Sequence, residues 1–368
     1  MISLKIKLNI NGKKDLLFLL SLKKPEDCKA LYAEAFLRTT NFLQNKTYWR
    51  ALIELSNVCV YDCNYCGIRK SNHALCRYSL TTPQIIEVAR HAFQNGYTAL
   101  ALQSGERDDE KFIGAIEELL HVLHKESQAF GIKNGVGLTL SFGEQTQETY
   151  CRWKEAAGNK KALRYLLRLE TSNATLFKRL HNGTGRQKTL AERVRALTRL
   201  RQAGYQVGTG IMVGIPGQTL NDIVNDMRLF EKIDPDMFGL GPYLVSQGGT
   251  MVHEGMMNKK ELLTLTLNTI AVLRLLFPTC NIAAATALET LTKGGRLLGV
   301  NAGCNVLMPN FSPSPIQTFY RLYDNKEKTE ATKDDFFLLE REIAEGSGRQ
   351  IAKKDFGSSL RFQKRLTA

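Results

Sequence analysis

No apolar run in this sequence is long enough to cross a bilayer; the longest, such as 16–20, fall far short of the roughly 18 residues a spanning helix needs. No membrane association is therefore expected. There is no repeat of 20 to 50 residues and no Pro- or Gly/Ser-rich linker, which argues against a solenoid and against two tethered folding units. Cysteine is sparse, eight in 368 residues. That density excludes a disulfide scaffold and points to a reducing, cytoplasmic location. The lysines ahead of the apolar stretch 16–20 imitate the start of a secretory signal, but Lys23, Lys24, Glu26 and Asp27 follow where a small-residue cleavage site belongs. Basic blocks and aromatic-interleaved basic motifs are missing as well. The net charge of +14 is spread along the chain, so nucleic acid is not expected as a partner, and the charge suits a small anionic substrate as well as it suits simple solubility.

What the chain does have is alternation. Hydrophobic residues make up 43% and charged residues 23%, enough for a sizeable core. Short apolar runs at 51–55, 98–103, 135–141, 164–170, 206–213, 237–241, 281–286 and 304–308 read as eight strands. Helical patterns lie between them. Ile85, Ala89, Ala92 and Phe93 share a face after Pro83 and stop at Gly96; Leu190, Val194, Leu197 and Leu200 repeat the pattern before Gly204; Thr219 and Asp222 form a capping pair. This is an α/β pattern with parallel pairing. Eight such units predict a (β/α)8 TIM-type barrel with function on the loops beyond the strands' C-terminal ends, and a doubly wound open sheet is the alternative. The expected organisation is an N-terminal helical extension at 1–48, the barrel at 49–323, and a C-terminal extension at 324–368 packed on it.

Directly after the first of these strands comes Cys59, Cys63 and Cys66 in a C-x3-C-x2-C loop. Composition alone predicts about 0.004 occurrences of that spacing in a chain of this size. Three thiolates can bind three irons of a [4Fe-4S] cube and leave the fourth open to a chelating ligand. The competing reading is a structural zinc site with Cys76 as fourth ligand, but four-thiolate zinc sites pair two close couples and Cys76 lies ten residues beyond Cys66. Cys28, Cys151, Cys280 and Cys304 read as ordinary thiols.

The loop resembles the signature of the radical S-adenosylmethionine (SAM) superfamily. The stretches 50–57 (RALIELSN), 102–106 (LQSGE), 139–144 (TLSFGE), 164–168 (RYLLR), 212–219 (MVGIPGQT) and 305–315 (NVLMPNFSPSP) are similar to the HydE family of [FeFe]-hydrogenase maturases. The resemblance implies a radical SAM barrel in which Cys59, Cys63 and Cys66 hold one [4Fe-4S] cluster whose fourth iron binds SAM. It further implies SAM contacts from Tyr65, Gln103, Ser104, Gly105, Glu106, Thr139, Ser141, Glu170, Arg193, Gly214 and Ile215. Arg164, Arg168, Thr286, Met308, Tyr320 and Tyr323 match positions that line the substrate cavity, and two inward arginines on one strand suit an anion. Reduced cluster would cleave SAM to a 5'-deoxyadenosyl radical acting on a cysteine-ligated Fe(CO)2(CN) precursor in H-cluster assembly. Partner maturases and an electron donor such as ferredoxin or flavodoxin are implied. Alternatives are a relative with another small anionic substrate, either an amino-acid mutase like methylornithine synthase or a sulfur-inserting enzyme like biotin synthase, and a non-catalytic iron-sulfur carrier.

Three departures bear on the substrate. A family His-Glu-Thr-Ala-Asn stretch is here Leu169, Glu170, Thr171, Ser172 and Asn173; a Thr-Thr pair is Ala285 and Thr286; and no cysteine follows Cys304 to hold a second cluster.

Overall fold

The computed structural model describes residues 12–326 and 333–367; the parts of the two expected extensions at 1–11, 327–332 and 368 lie outside the described residues. Eleven strands are present among them: β1 (Lys46–Trp49), β2 (Ala51–Ser56), β3 (Ala99–Ser104), β4 (Gly137–Ser141), β5 (Leu163–Leu166), β6 (Gln206–Thr209), β7 (Met212–Val213), β8 (Met237–Pro242), β9 (Asn281–Ala284), β10 (Val306–Leu307) and β11 (Gln350–Ala352). All named pairs are parallel, in the order β11-β1-β10-β9-β8-β6-β5-β4-β3-β2, with β7 on β8. β1 and β2 are one strand interrupted at Arg50. Arg50 N–H donates to Leu307 O at 3.0 Å and Leu52 N–H to Pro309 O at 2.8 Å, so the sheet curls round and meets itself as a barrel.

Each of the eight expected strands has its counterpart, and the differences have local causes. The 206–213 run splits into β6 and β7 because Gly210 passes Gly239 so closely that a Cβ would sit 2.0 Å from its carbonyl oxygen. The 164–170 run stays regular only to Leu166, after which Glu170 turns at φ +67. Residues 46–48, expected in the helical extension, belong with Trp49 to strand β1 instead. The helices follow the expected signals. Thr81 and Gln84 close a capping box at the start of Thr82–Gln94, whose buried face is Ile85, Ile86, Val88, Ala89, Ala92 and Phe93. Thr219 and Asp222 do the same for Leu220–Ile233. At the N-terminal side, helix Pro25–Leu43 packs on Lys259–Leu276. Among the described residues no helix is long and apolar enough to cross a membrane.

The lower end of the barrel, where strands begin, is stopped by the chain's last segment. β11 pairs with β1, Lys46 opposite Gln350 and Tyr48 opposite Ala352. Beyond it, Gly357 O accepts from Arg50 Nη2 at 3.3 Å and Asn281 Nδ2 at 2.7 Å, Phe356 O accepts from Arg164, and Ser359 N–H donates to Gln206 Oε1 at 3.0 Å. Arg50, Arg164, Gln206 and Asn281 are fully buried, at 0 or 1% exposure. Carbonyl oxygens thus meet guanidinium and amide groups that water cannot reach.

Candidate functional site at the upper barrel mouth

The cysteine loop leaves β2 at the opposite, upper end. It is fixed by an aspartate in its middle: Asp62, 1% exposed, accepts from Arg69 Nε and Nη2 at 2.5 and 2.6 Å, from Ser71 N and Oγ, and from Thr184 N and Oγ1. Cys66 N–H donates to Cys63 O at 3.1 Å, Val60 N–H to Glu106 O at 3.0 Å, and Gly105 N–H to Ser56 O at 2.9 Å, which ties the loop to the end of β3. Gly105 makes that approach feasible, since a Cβ there would lie 2.3 Å from Val58 O and 3.0 Å from Cys59 Cβ.

Cys59, Cys63 and Cys66 line one cavity of about 220 Å³ with Tyr65, Gln103, Ser104, Gly105, Glu106, Ser141, Arg168, Glu170, Arg193, Tyr320 and Tyr323. These fourteen of the twenty expected site residues come together, thirteen from the ends of strands or the loops beyond them and Arg193 from helix Leu190–Gln202. Arg168 Nη2 reaches Glu170 Oε2 at 2.7 Å and Arg193 Nε reaches Glu144 Oε1 at 2.5 Å. Burial opposes ionisation of Glu144, but Arg193 and Lys188 outweigh it and hold its carboxyl below the usual range. A larger open groove of about 930 Å³ runs along 350–356 at the barrel's lower end, away from all three cysteines.

Six expected residues are not walls of this cavity. Arg164 lies one layer lower, opposite Thr139, while Ser141 stands opposite Gln103 nearer the mouth. The pair of arginines expected in one cavity is therefore separated: Arg168 faces it, and Arg164 belongs to the stopped lower end. Thr139 accepts from Arg50 Nη1 at 3.3 Å in that same lower layer. Met308 packs with Tyr48, Ala283 and Val306. Thr286 starts helix Thr286–Leu291, whose N-cap Ala285 makes no side-chain cap bond; Ala287 is the wall residue there. Gly214 N–H donates to Gln218 Oε1, and Ile215 packs with Leu180, Met212, Tyr243 and Met251 in a cluster that supports Tyr65.

Other wall residues were not expected from sequence, chiefly Lys188, Tyr61 and His181. His181 Nδ1–H donates to Phe177 O at 3.0 Å, the ring packs edge-on to Tyr65 at 5.7 Å, and Nε2 is left buried without a partner. Burial, then Arg193 and Lys188, push its pKa well below the ordinary value, so the imidazole is neutral. Both His181 and Lys188 border the segment 182–188, whose loop pattern carries no periodicity from which to place them.

The residues present fit an iron-sulfur cube. Burial raises all three thiols, Cys66 to about 12, and for Cys63 and Cys66 the neighbouring cysteines add to it; ligation to cationic iron removes that penalty. Among the described residues no three His, Cys, Asp or Glu side chains converge as ligands of one ion, and Cys76 is exposed. Cys76, the fourth thiolate a zinc site would need, is outside the cavity, whereas a cube gives each of the three thiolates its own iron.

Behind Glu170, Asp226 holds the turn. Its Oδ1 accepts from Ser172 N and Oγ, both at 2.5 Å, while Oδ2 is buried without a partner. Burial pushes the Asp226 carboxyl up to about 6, against 3.8 ordinarily. The folded protein then holds this proton more tightly than the unfolded chain does. This group's contribution to stability is greatest below about pH 4 and is lost as pH rises through about 6, amounting to ~3 kcal/mol at most. Asp226→Asn should flatten that slope in thermal unfolding measured across pH, and a slope unchanged in the variant would assign it to other groups.

The Radical SAM superfamily profile matches residues 53–230. The [FeFe] hydrogenase maturase subunit HydE of Thermotoga maritima is 39% identical over 298 residues, 81% of this chain and 80% of that protein. The 3-methylornithine synthase of Methanosarcina acetivorans is 26% identical over 299 residues, 80% of this chain and 77% of that protein. Among solved structures, methylornithine synthase (PylB) superposes with a TM-score of 0.75 at 25% identity over 93% of this chain and 94% of that one. HydG, a maturase of the [FeFe]-hydrogenase, superposes at 0.74 with 18% identity, over 96% and 77%, and shares the fold. Identity across four-fifths of the chain, joined to a cysteine loop at the mouth of a parallel barrel, makes this protein a member of the HydE family of radical SAM enzymes.

Proposed function

We propose that the protein acts in [FeFe]-hydrogenase maturation on a cysteine-ligated Fe(CO)2(CN) precursor, with Cys59, Cys63 and Cys66 holding a [4Fe-4S] cluster and SAM bound beside it. The observation that carries this is one cavity in which three thiols face the Ser104, Gly105 and Glu106 turn, Arg193 and Glu170. When bound, cluster and SAM supply one-electron reductive cleavage of a carbon–sulfur bond and hence a 5'-deoxyadenosyl radical. The protein's own groups bind and exclude. Glu106 accepts a cationic amino group, Arg193 an anionic carboxylate, and Tyr65 offers a ring face backed by the Ile215 cluster. Further in, Arg168, Tyr320 and Tyr323 are the substrate-facing residues, with Arg168 as the anion donor. The barrel wall and its stopped lower end keep water from a reactive carbon centre. In this reading the chemistry belongs to 49–323, with 1–48 and 324–368 as extensions, and an external reductant and partner maturases complete the cycle.

The test is anaerobic reconstitution followed by SAM and dithionite, then maturation of apo [FeFe]-hydrogenase with the partner maturases. 5'-Deoxyadenosine should form and hydrogenase activity should appear. Absence of 5'-deoxyadenosine would leave only an iron-sulfur carrier. SAM cleavage without maturation would favour a mutase acting on a small amino acid, the reading that the PylB superposition supports.

A further inference from the structure

Segment 182–188 delivers a lysine into the cysteine-lined cavity. Lys188 is 4% exposed. Its Nζ lies 2.6 Å from Glu106 Oε2, 3.6 Å from Glu144 Oε1 and 3.7 Å from the centre of the Tyr61 ring. Glu144 N–H donates to the other Glu106 oxygen, Oε1, at 3.0 Å, so both oxygens of Glu106 are engaged. Arg193 Nε holds Glu144 Oε1 at 2.5 Å. Glu106, Lys188, Glu144 and Arg193 therefore form a row of alternating sign along one wall.

Closing the segment over the cysteine loop does not require this lysine. Thr184 already ties it to Asp62, and Arg186 pairs with Asp108 through two bonds at 2.9 and 2.6 Å. A buried ammonium is costly unless its charge is met. A zwitterion whose ammonium takes Glu106 Oε2 must displace Lys188 from it. Glu144 Oε1 already carries Arg193, so the displaced Nζ is best met by the carboxylate that the same ligand brings. The four-carbon stem gives Nζ the reach to make that exchange, and charge is conserved throughout.

We propose that Lys188 is a cofactor-binding residue, exchanging Glu106 for the carboxylate of the methionyl moiety of SAM alongside Arg193. This rests on the reading of the cavity as the SAM site. Its consequence is coupled recognition: an amine without a carboxylate displaces Lys188 and leaves it unmet, so decarboxylated ligands bind poorly.

The test measures equilibrium binding of three probes, without reductant, to the cluster-loaded protein: SAM, S-adenosylhomocysteine and decarboxylated SAM. Wild type should favour the first two. Lys188→Gln should raise Kd for both about tenfold or more while decarboxylated SAM binds at least as tightly as to wild type, because no displaced ammonium is left unmet, and Lys188→Arg should restore selectivity. Equal weakening of all three probes, or no change in any, overturns the proposal. If Lys188→Gln fails to assemble, Lys188→Met, which keeps the apolar stem without the charge, carries the test: selective weakening of SAM and S-adenosylhomocysteine supports the proposal, and equal weakening of all three probes overturns it. Wild-type protein that binds none of the three would overturn the SAM site as well as the lysine's role in it.

Discussion

Alanine at Cys63 is expected to strip the protein of iron and sulfide, to below about a tenth of the wild-type content, and to abolish SAM cleavage. Cys63 is the central member of the three thiols, and its pKa is raised by burial and by both other cysteines. Removing it leaves two donors for a cube that needs three, within a cavity that has no fourth cysteine. The measurement is iron and acid-labile sulfide after anaerobic reconstitution, with absorbance in the thiolate-to-iron band. Cys76→Ala is the matched control. Cys76 is exposed and outside the cavity, so that variant should keep its cluster. Cluster retained in Cys63→Ala, or lost in Cys76→Ala, would show the ligand set to be wrong.

Asp62→Ala should be the most damaging single change that touches no expected ligand or wall. Six hydrogen bonds end on this carboxylate, two of them from Arg69, which is 7% exposed. Truncation leaves a buried guanidinium without its counter-charge, a defect worth about 3–5 kcal/mol. It also removes both bonds from Thr184 to Asp62, loosening the 182–188 segment against the cysteine loop. The expected result is a large fall in the thermal midpoint together with faster loss of the reconstituted cluster. Asp62→Asn should recover part of the stability, because its oxygen still accepts from Ser71 or Thr184. A variant as stable as wild type would mean that Arg69 finds another acceptor.

Much of this was legible in the sequence because it depends on short-range pattern. The eight strand runs are separated by helices whose start signals, Pro83 for one and the Thr219–Asp222 pair for another, are encoded within four residues. The cysteine spacing and the Ser104, Gly105 and Glu106 turn are local as well. What escaped depended on depth or on distant partners. Arg164 and Arg168 look equivalent on a strand of period two, yet the strand ends at Leu166, and the two arginines serve opposite ends of the barrel. Thr139 fails as a wall for the same reason. Strand Lys46–Trp49 is defined by its partners Val306 and Gln350, hundreds of residues away, and no local signal announces them. Lys188 was hidden by an irregular loop, since only its meeting with Glu106, 82 positions earlier in the chain, marks it out.

The stopper at the barrel's lower end bears on how the chain is made. Strand Lys46–Trp49 leaves the ribosome long before its neighbours, Val306 and Leu307 on one side and 350–352 on the other. Arg50, Arg164 and Asn281 likewise wait for the carbonyls of Phe356 and Gly357. Pairings so remote in sequence close slowly. The nascent barrel must stay open along this seam until 350–357 have been made, about 300 residues after the strand they close upon.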